Sequence, residues 1–151
     1  MPDDSVQDDE GLYRRVLNNP QNFPSAKDGS GTIHLSSQIF SERTMRPSVD
    51  RAHLREHDPT KTQNDPSDGI LLLFAHQVRS ARTDRYKDGK LVEKDGYQAD
   101  VEPVPLPGNP SHAEIYGRPG FDTKSAFHKM IERLARLPME WVIPPADLRK
   151  P

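Results

Sequence analysis

The sequence predicts an α+β fold in which one long amphipathic helix packs on a small, mostly antiparallel sheet, with short helices and proline-rich loops around it. Two patterns predict this arrangement: several short segments have strand-like alternation or continuous apolar runs, and one longer segment has a helical period. Hydrophobic residues make up 32% of the 151 residues, and there are 15 prolines. This composition predicts a small core and long ordered loops.

Strands are expected in five places, and one of them is a short strand over Thr32–Leu35. Apolar and polar residues alternate over Gly11–Leu17, which predicts the first strand. Ile70–Val78 opens with five consecutive apolar residues, so we favour a central strand buried on both faces over a short core helix. Asp88-Gly89 offers a hairpin turn, and alternation over Tyr97–Val104 predicts the strand after it. Met139–Ile143 is expected to form the last strand or an extended strap.

Two helices are expected between these strands. Ser48 suits the N-cap of a short helix over Val49–His57. Asp122 suits the N-cap of the longer helix, Thr123–Leu137, whose apolar residues recur three and four apart and so form one face. That face is expected to pack on the sheet.

The expected organisation is a single domain over residues 11–145, preceded by an acidic, disordered lead-in over residues 1–10 and followed by a tail over residues 146–151. The lead-in has five acids and no base, which leaves 21 bases against 18 acids in the rest of the chain. This excess is too small to support nucleic-acid binding. The chain has no cysteine, no signal-like apolar start and no apolar run long enough for a membrane span. We therefore expect a cytoplasmic protein with no membrane contact.

The segment Asn109–Gly117 (NPSHAEIYG) resembles half of the zinc-deaminase signature, in which a histidine binds zinc and a glutamate two residues later moves protons. The other ligands of those enzymes are cysteines, which this chain lacks. The alternative is a short capped helix that ends at Gly117, in which His112 bonds a backbone group. His112 and Tyr116 remain candidate binding residues.

A second segment, His53–His57 (HLREH), resembles the inverzincin pattern, in which two histidines four apart share a helix face and bind zinc. Glu114 or His112 could supply a third ligand. The alternative is a solvated amphipathic turn, since the predicted helix is short and highly charged. We expect no metal and no other cofactor. The residues that would be candidate metal ligands are His53, His57 and His112.

A third pattern is similar in outline to ADP-ribosyltransferases, which have an early strand with a basic residue, a later strand that ends in a hydroxyl residue, and a distant glutamate. LYRR and IHLSS supply the first two features. The resemblance implies that Arg14 or Arg15 binds phosphate, that Ser36 or Ser37 sets the second strand, and that Glu114 or Glu102 is the catalytic acid. Our preferred set is Arg14, Ser37 and Glu114.

The region Arg79–Lys94 has six bases and three acids around the predicted hairpin turn. Its candidate binding residues are Arg82, Arg85, Tyr86 and Lys87. The alternative is an ordinary solvated hairpin, because acids are interspersed among the bases.

Two functions follow from these patterns. We expect a non-enzymatic interaction module of a larger complex, in which another protein binds the loops, especially Asn18–Gly31 and Pro103–Pro110. The alternative is a small NAD-using enzyme, either ADP-ribosyltransferase-like or an NAD hydrolase. The two are distinguished by whether Arg14 and Glu114 converge on one cleft, because catalytic groups must reach the same substrate. The sequence predicts no oligomeric state.

Overall fold

A seven-stranded antiparallel sheet dominates the fold. The computed structural model describes residues 4–23 and 35–149. The order of the strands across the sheet is β4-β5-β6-β2-β1-β3-β7, and each neighbouring pair is antiparallel. The strands are β1 Gly11–Val16, β2 Ser48–Arg51, β3 Gly69–Phe74, β4 Arg82–Lys87, β5 Lys90–Pro103, β6 His112–Arg118 and β7 Glu140–Ile143.

Helices contribute little to the described chain. They are α1, Ala75–Ser80, and α2, Lys124–Leu134, together with short 3-10 turns. The 3-10 turns are Pro20–Asn22, Ser37–Phe40, Ala52–Arg55, Pro59–Thr62 and Ala146–Leu148. Within residues 4–23 and 35–149, no helix is both long and apolar enough to cross a bilayer.

The predicted fold class is therefore wrong, because the sheet is not small and the helix is not long. The helix predicted over Thr123–Leu137 has 11 residues and ends at Leu134, since Pro138 disfavours helical geometry in the residue before it. Its N-cap is Thr123, whose Oγ1 accepts a hydrogen bond from Ala126 N at 3.0 Å. Asp122, the predicted cap, instead accepts the hydroxyl of Tyr97 at 2.9 Å.

Two segments predicted to be helical are strands. The predicted N-cap Ser48 and the first three residues of the predicted helix Val49–His57 form β2, which lies in the middle of the sheet and buries Val49 in the core. The segment NPSHAEIYG forms a turn and then β6, with Ala113 and Ile115 facing the core. Sheet pairing on both sides outweighs the capping signals in both segments. Gly117 is a strand residue under the Phe121 ring rather than a helix stop.

Other predicted elements are confirmed. The structure contains the strand predicted over Gly11–Leu17, the hairpin turn at Asp88-Gly89 and the last strand within Met139–Ile143. Ile70–Val78 contains both alternatives, because it is strand up to Phe74 and helix afterwards. The strand predicted over Tyr97–Val104 is the second half of the long β5.

One face of the sheet, which we call the helix face, carries the main core. Side chains such as Leu12, Leu71 and Ile115 point from it toward α2 and the 3-10 turn Ser37–Phe40, where they are almost fully buried. The buried residues of α2 are Phe127, Met130, Ile131 and Leu134. The opposite face, which we call the polar face, has a smaller apolar cluster around Tyr13, Ala52 and Ile70. Elsewhere the polar face carries polar side chains, which are available to form a binding site.

The sequence predicts disorder over residues 1–10, but the structure places residues 4–10 against the sheet. Val6 is 2% exposed and belongs to the main core. Arg51 donates to Glu10, and Arg79 donates to Asp8 and to the carbonyl of Val6. These two arginines compensate the acidic charge that the composition associates with disorder. Part of the predicted loop Asn18–Gly31 and most of the predicted short strand Thr32–Leu35 lie outside the described residues.

Candidate functional site

A cleft opens on the sheet where β1 and β2 separate. The two strands pair at Leu12↔Arg51 and Tyr13↔Asp50, and the ladder in the described chain stops there. The Arg14 side chain takes over the next hydrogen bonds, since its Nη1 donates to the carbonyl of Ser48 at 2.7 Å and its Nε to the carbonyl of Ile39 at 2.8 Å. Arg14 therefore fixes the main chain at Ser48.

Arg14 has little contact with solvent, since its side chain is 11% exposed. Burial lowers the pKa of its guanidinium, and Glu42, whose carboxylate lies 3.3 Å from Nη1, partly offsets this effect. The guanidinium also lies over the Phe40 ring. Arg14 thus acts as a buried, fixed positive charge in the wall of the cleft.

The cleft has a volume of about 560 Å³, and its lining is mostly polar. Six asparagine or glutamine side chains contribute to the lining. The charged lining residues are the cations Arg14, Arg15, Arg55 and Lys61 and the carboxylates Glu42 and Asp50. Each of these cations is ion-paired, Arg14 with Glu42, Arg55 with Asp50, Arg15 with Asp68 and Lys61 with Glu56, so the cleft offers a ligand mainly neutral amide and hydroxyl groups.

Asp50 organises one side of the cleft. It lies on β2 and is 7% exposed. Its Oδ2 accepts from Arg55 Nε and Nη2 at 3.2 and 3.1 Å and from Thr62 Oγ1 at 2.9 Å, and its Oδ1 accepts from Asn109 Nδ2 at 3.1 Å. One buried carboxylate therefore connects β2 to two 3-10 turns and to the turn before β6, which makes this part of the lining rigid.

Ser48 and His112 form a hydrogen-bonded pair in the same cleft. His112 Nε2 lies 3.1 Å from Ser48 Oγ, and its Nδ1 lies 2.9 Å from the carbonyl oxygen of Val104. A carbonyl can only accept, so Nδ1 must carry the proton and donate. In the neutral ring, Nε2 is then the acceptor, and the Ser48 hydroxyl donates to it. The Ser48 hydroxyl, the His112 imidazole and the Val104 carbonyl are thus joined by two hydrogen bonds in that order.

The turn before β6 sets the position of His112. Asn109 Oδ1 accepts from the backbone and hydroxyl of Ser111, while the carbonyl of Ser111 accepts from Arg51 N at 2.8 Å. His112 itself is 9% exposed. The segment that resembles a deaminase signature therefore places His112 within hydrogen-bond distance of Ser48.

The preferred ADP-ribosyltransferase-like residues, Arg14, Ser37 and Glu114, do not meet in one cleft. Arg14 is paired with Leu71 and lies on the helix face, whereas Glu114 is paired with Ser48 on the polar face. Glu114 accepts from Arg46 Nε at 2.6 Å, and Ser37 begins a 3-10 turn. Arg14 lines the cleft, whereas Glu114 is not among the lining residues and is paired with Arg46, so the two side chains are not placed to hold one substrate.

The histidines considered for metal binding lie in different surroundings. His53 is in a 3-10 turn, 40% exposed, with Nε2 at 3.5 Å from Glu10 Oε1. His57 follows in a left-handed backbone conformation with φ of 55°, so the two do not share a helix face. Within residues 4–23 and 35–149, no group of three His, Asp or Glu side chains is placed to hold a metal ion.

The basic hairpin forms a two-stranded arm, which we define as residues 82–97. β6 reaches only as far as Gln98 of β5, so residues 90–97 pair with β4 and extend past the rest of the sheet. Of the candidate binding residues, Arg82, Arg85, Tyr86 and Lys87 lie on β4 of this arm. His112 and Tyr116 lie elsewhere, on the polar face of β6.

The arm and α2 enclose a shallow groove of about 370 Å³. Lys129 Nζ lies 4.4 Å from the centre of the Tyr86 ring, and Arg85 Nε lies 3.2 Å from Asp122 Oδ2. The charged lining residues are Asp84, Lys94, Asp95, Lys129, Glu132, Arg133 and Arg136. The Lys129–Tyr86 contact holds the outer part of the arm against α2, and the Arg85–Asp122 ion pair holds the arm against the residues before α2.

Comparison of the chain with family models, with curated proteins and with solved structures gave no match. The function is therefore inferred from the cleft and the arm alone.

Sequence reasoning selected His112 and the basic hairpin but missed Ser48, Asp50 and Asn109. Ser48 and Asp50 were assigned to a helix, in which they would not lie on one side. The signal that could have found them is the alternation of Ser48 and Asp50 around Val49, which is the period of a strand with one polar face.

Proposed function

We propose that the protein is an interaction module that binds an acidic segment of another protein through the arm and the adjoining groove. The single observation that carries this proposal is the exposed apolar surface of the arm. Tyr86, Leu91 and Val92 are 47%, 53% and 57% exposed, and Tyr86 is the cross-strand partner of Leu91. Clustered aromatic and aliphatic side chains on a projecting element are typical of partner contacts.

The charge around this surface indicates the chemistry of the partner. Several basic side chains of the arm and α2 form no ion pair within residues 4–23 and 35–149. They are Arg82, Lys87, Lys90, Lys94, Lys124, Lys129, Arg133 and Arg136. A protein segment with acidic and apolar side chains complements this surface. A protein is favoured over a nucleic acid because carboxylates and apolar groups are interspersed among the cations.

Binding of a partner at the arm involves no chemical reaction, so the proposed function does not depend on any activity of the cleft.

β4 is the last strand at its end of the sheet, so its outer edge offers backbone groups to an added strand. The same edge carries charged side chains, which discourage pairing between copies of the chain.

The test compares two variants with three matched changes each. One carries Tyr86→Ser, Leu91→Ser and Val92→Ser on the arm. The other carries Leu17→Ser, Leu54→Ser and Leu106→Ser at positions that are 58%, 46% and 45% exposed elsewhere. Each variant and the native chain are immobilised and exposed to lysate from the source cells. Bound proteins are then quantified by mass spectrometry.

We expect a protein that the native chain and the control variant retain and the arm variant loses. Its binding should be reproduced with the purified partner and weakened by salt. Equal retention by all three chains would overturn the proposal. Loss of the captured material after nuclease treatment would replace the protein partner with a nucleic acid. Circular dichroism and thermal melting verify that all variants are folded.

A further inference from the structure

We propose that Ser48 and His112 form a nucleophile and general base in the cleft, and that their substrates are small carboxylic esters with a polar acyl group. This inference concerns a surface separate from the arm and does not depend on the proposed function. From the sequence alone, Ser48 is expected only to cap a short helix, a role that the strand β2 excludes.

The geometry of the pair is that of an activated hydroxyl. Ser48 Oγ lies 3.1 Å from His112 Nε2, which is within the range for direct proton transfer. Because Val104 O fixes the proton on Nδ1, the neutral ring presents its lone pair to the hydroxyl. A third group that orients the base is the general feature of activated serines, and here it is a main-chain carbonyl.

The surroundings hold both reacting groups in place. Arg14 donates to the carbonyl of Ser48 at 2.7 Å, and Asn109 ties the turn before His112 to Asp50 at 3.1 Å. Ser48 is half-buried and His112 almost fully buried, yet both line the cleft. A substrate in the cleft can therefore reach Ser48 Oγ without a rearrangement of the sheet.

The reaction would proceed in two balanced halves. In the first, Ser48 Oγ bonds to the ester carbonyl carbon while its proton passes to His112 Nε2. The carbon–oxygen bond to the alcohol then breaks, and the alcohol leaves with the proton from Nε2. In the second half, water gives its proton to Nε2 and attacks the acyl carbon, and Ser48 leaves and recovers its proton.

The lining of the cleft defines the substrate class. Arg55, Lys61 and Asn109 provide donors that can stabilise negative charge on the carbonyl oxygen as it develops. The six asparagine and glutamine side chains of the lining add hydrogen-bond donors and acceptors. An acyl group with uncharged polar substituents would be bound by these amides.

The first experiment exposes the native chain to a fluorophosphonate and measures its intact mass. We expect one adduct, with a bond from Ser48 Oγ to phosphorus and loss of fluoride. Ser48→Ala should abolish the adduct, and Ser80→Ala, which removes an exposed hydroxyl on α1, should leave it unchanged. With nitrophenyl esters, an acyl group that carries a hydroxyl or an amide should be cleaved faster than an alkyl acyl group of the same size. The reverse preference would overturn the substrate class.

The second experiment separates activation from a merely structural hydrogen bond. The chain has no cysteine, so Ser48→Cys creates its single thiol. We expect iodoacetamide to alkylate this thiol roughly 10²-fold faster than the same thiol in a His112→Asn background. Asn retains a donor for Val104 O but is not a base, and His112→Gln provides a second background. No fluorophosphonate adduct together with equal alkylation rates in folded variants would overturn the proposal.

Discussion

Arg51 Nε and Nη2 lie 2.8 and 2.9 Å from the two carboxylate oxygens of Glu10, and the two side chains are 9% and 10% exposed. The same guanidinium donates to the carbonyl oxygens of Asp4 and Ser5. The acidic lead-in is therefore attached to the centre of the sheet by one two-point ion pair on β2, and the stability of the fold should depend on that pair.

Replacement of Arg51 should be strongly destabilising. Arg51→Ala leaves the Glu10 carboxylate buried without its partner, and loss of one partner of a buried pair typically costs about 3–5 kcal/mol. Arg51→Lys should be intermediate, because a lysine retains the charge but not the two-point geometry. Urea denaturation gives the free energy of unfolding. The control is Arg43→Ala, an exposed arginine whose loss should change stability by less than about 0.5 kcal/mol. Equal effects at both positions would contradict the role of the pair.

Stability should fall on the acid side of neutrality. Burial alone would raise the pKa of Asp100, but hydrogen bonds from Arg79 and Arg118 outweigh it and hold the pKa below its ordinary value of 3.8. The pKa of Glu10 is likewise below 4.5, since hydrogen bonds from Arg51 and the Gln7 backbone outweigh burial.

A lowered pKa in the folded state stabilises the fold above the unfolded-state pKa. This stabilisation is lost as the pH falls through those ordinary values toward the lower folded-state values. Urea midpoints measured from pH 7 to pH 3 should therefore decrease below about pH 5. Asp100→Asn should be less stable at pH 7 and should show a smaller decrease with acid. An unchanged acid slope in this variant would contradict the assignment.

Gly117 should not tolerate a side chain. A Cβ at this position would lie 2.7 Å from the Phe121 ring, and overpacking in a filled site typically costs about 1–3 kcal/mol. Gly117→Ala should therefore lower the melting temperature. Gly120→Ala is the matched control, because no atom lies within 4 Å of a Cβ at that position. Equal melting temperatures for the two variants would contradict the packing of Phe121 on β6.

Thr83→Val should leave stability unchanged or increase it. Thr83 is 7% exposed, and among the described residues its Oγ1 is the buried side-chain polar atom without a hydrogen-bond partner. Valine has nearly the same shape as threonine and lacks the unsatisfied hydroxyl. Removal of such a group can raise the free energy of unfolding by about 1 kcal/mol. Thr83→Ser retains the hydroxyl and loses a buried methyl, so it should be less stable. Chemical denaturation of both variants distinguishes the two effects, and a stability gain for serine over valine would contradict the prediction.

The sequence predicted those elements whose pattern was long or regular. β1 followed from alternation and the Asp88-Gly89 turn from turn chemistry, whereas Met139–Ile143 was compatible with a strand, which is β7, or with an extended strap. β2 could not be predicted in this way. It has four residues, and its strand geometry comes from neighbours on both sides that are distant in sequence.

The candidate site was less predictable than the fold for the same reason. His112 was selected because of its neighbours in sequence, but its partner Ser48 lies on another strand. The Ser48–His112 distance depends on the register of β2 against β6, which local propensity does not determine. The lead-in was predicted to be disordered from its charge, because the cations that compensate it, Arg51 and Arg79, are far away in sequence.

The position of β2 also determines how the chain can fold. Asp50 is opposite Tyr13 on one side and His112 on the other, so the middle of the sheet exists only after three distant segments have met. Closure of the intervening loops costs entropy before these contacts form, and domains of this kind fold slowly and cooperatively. The chain should therefore unfold in one transition, and cutting it between α1 and β4 should yield two fragments that acquire structure only when they are mixed.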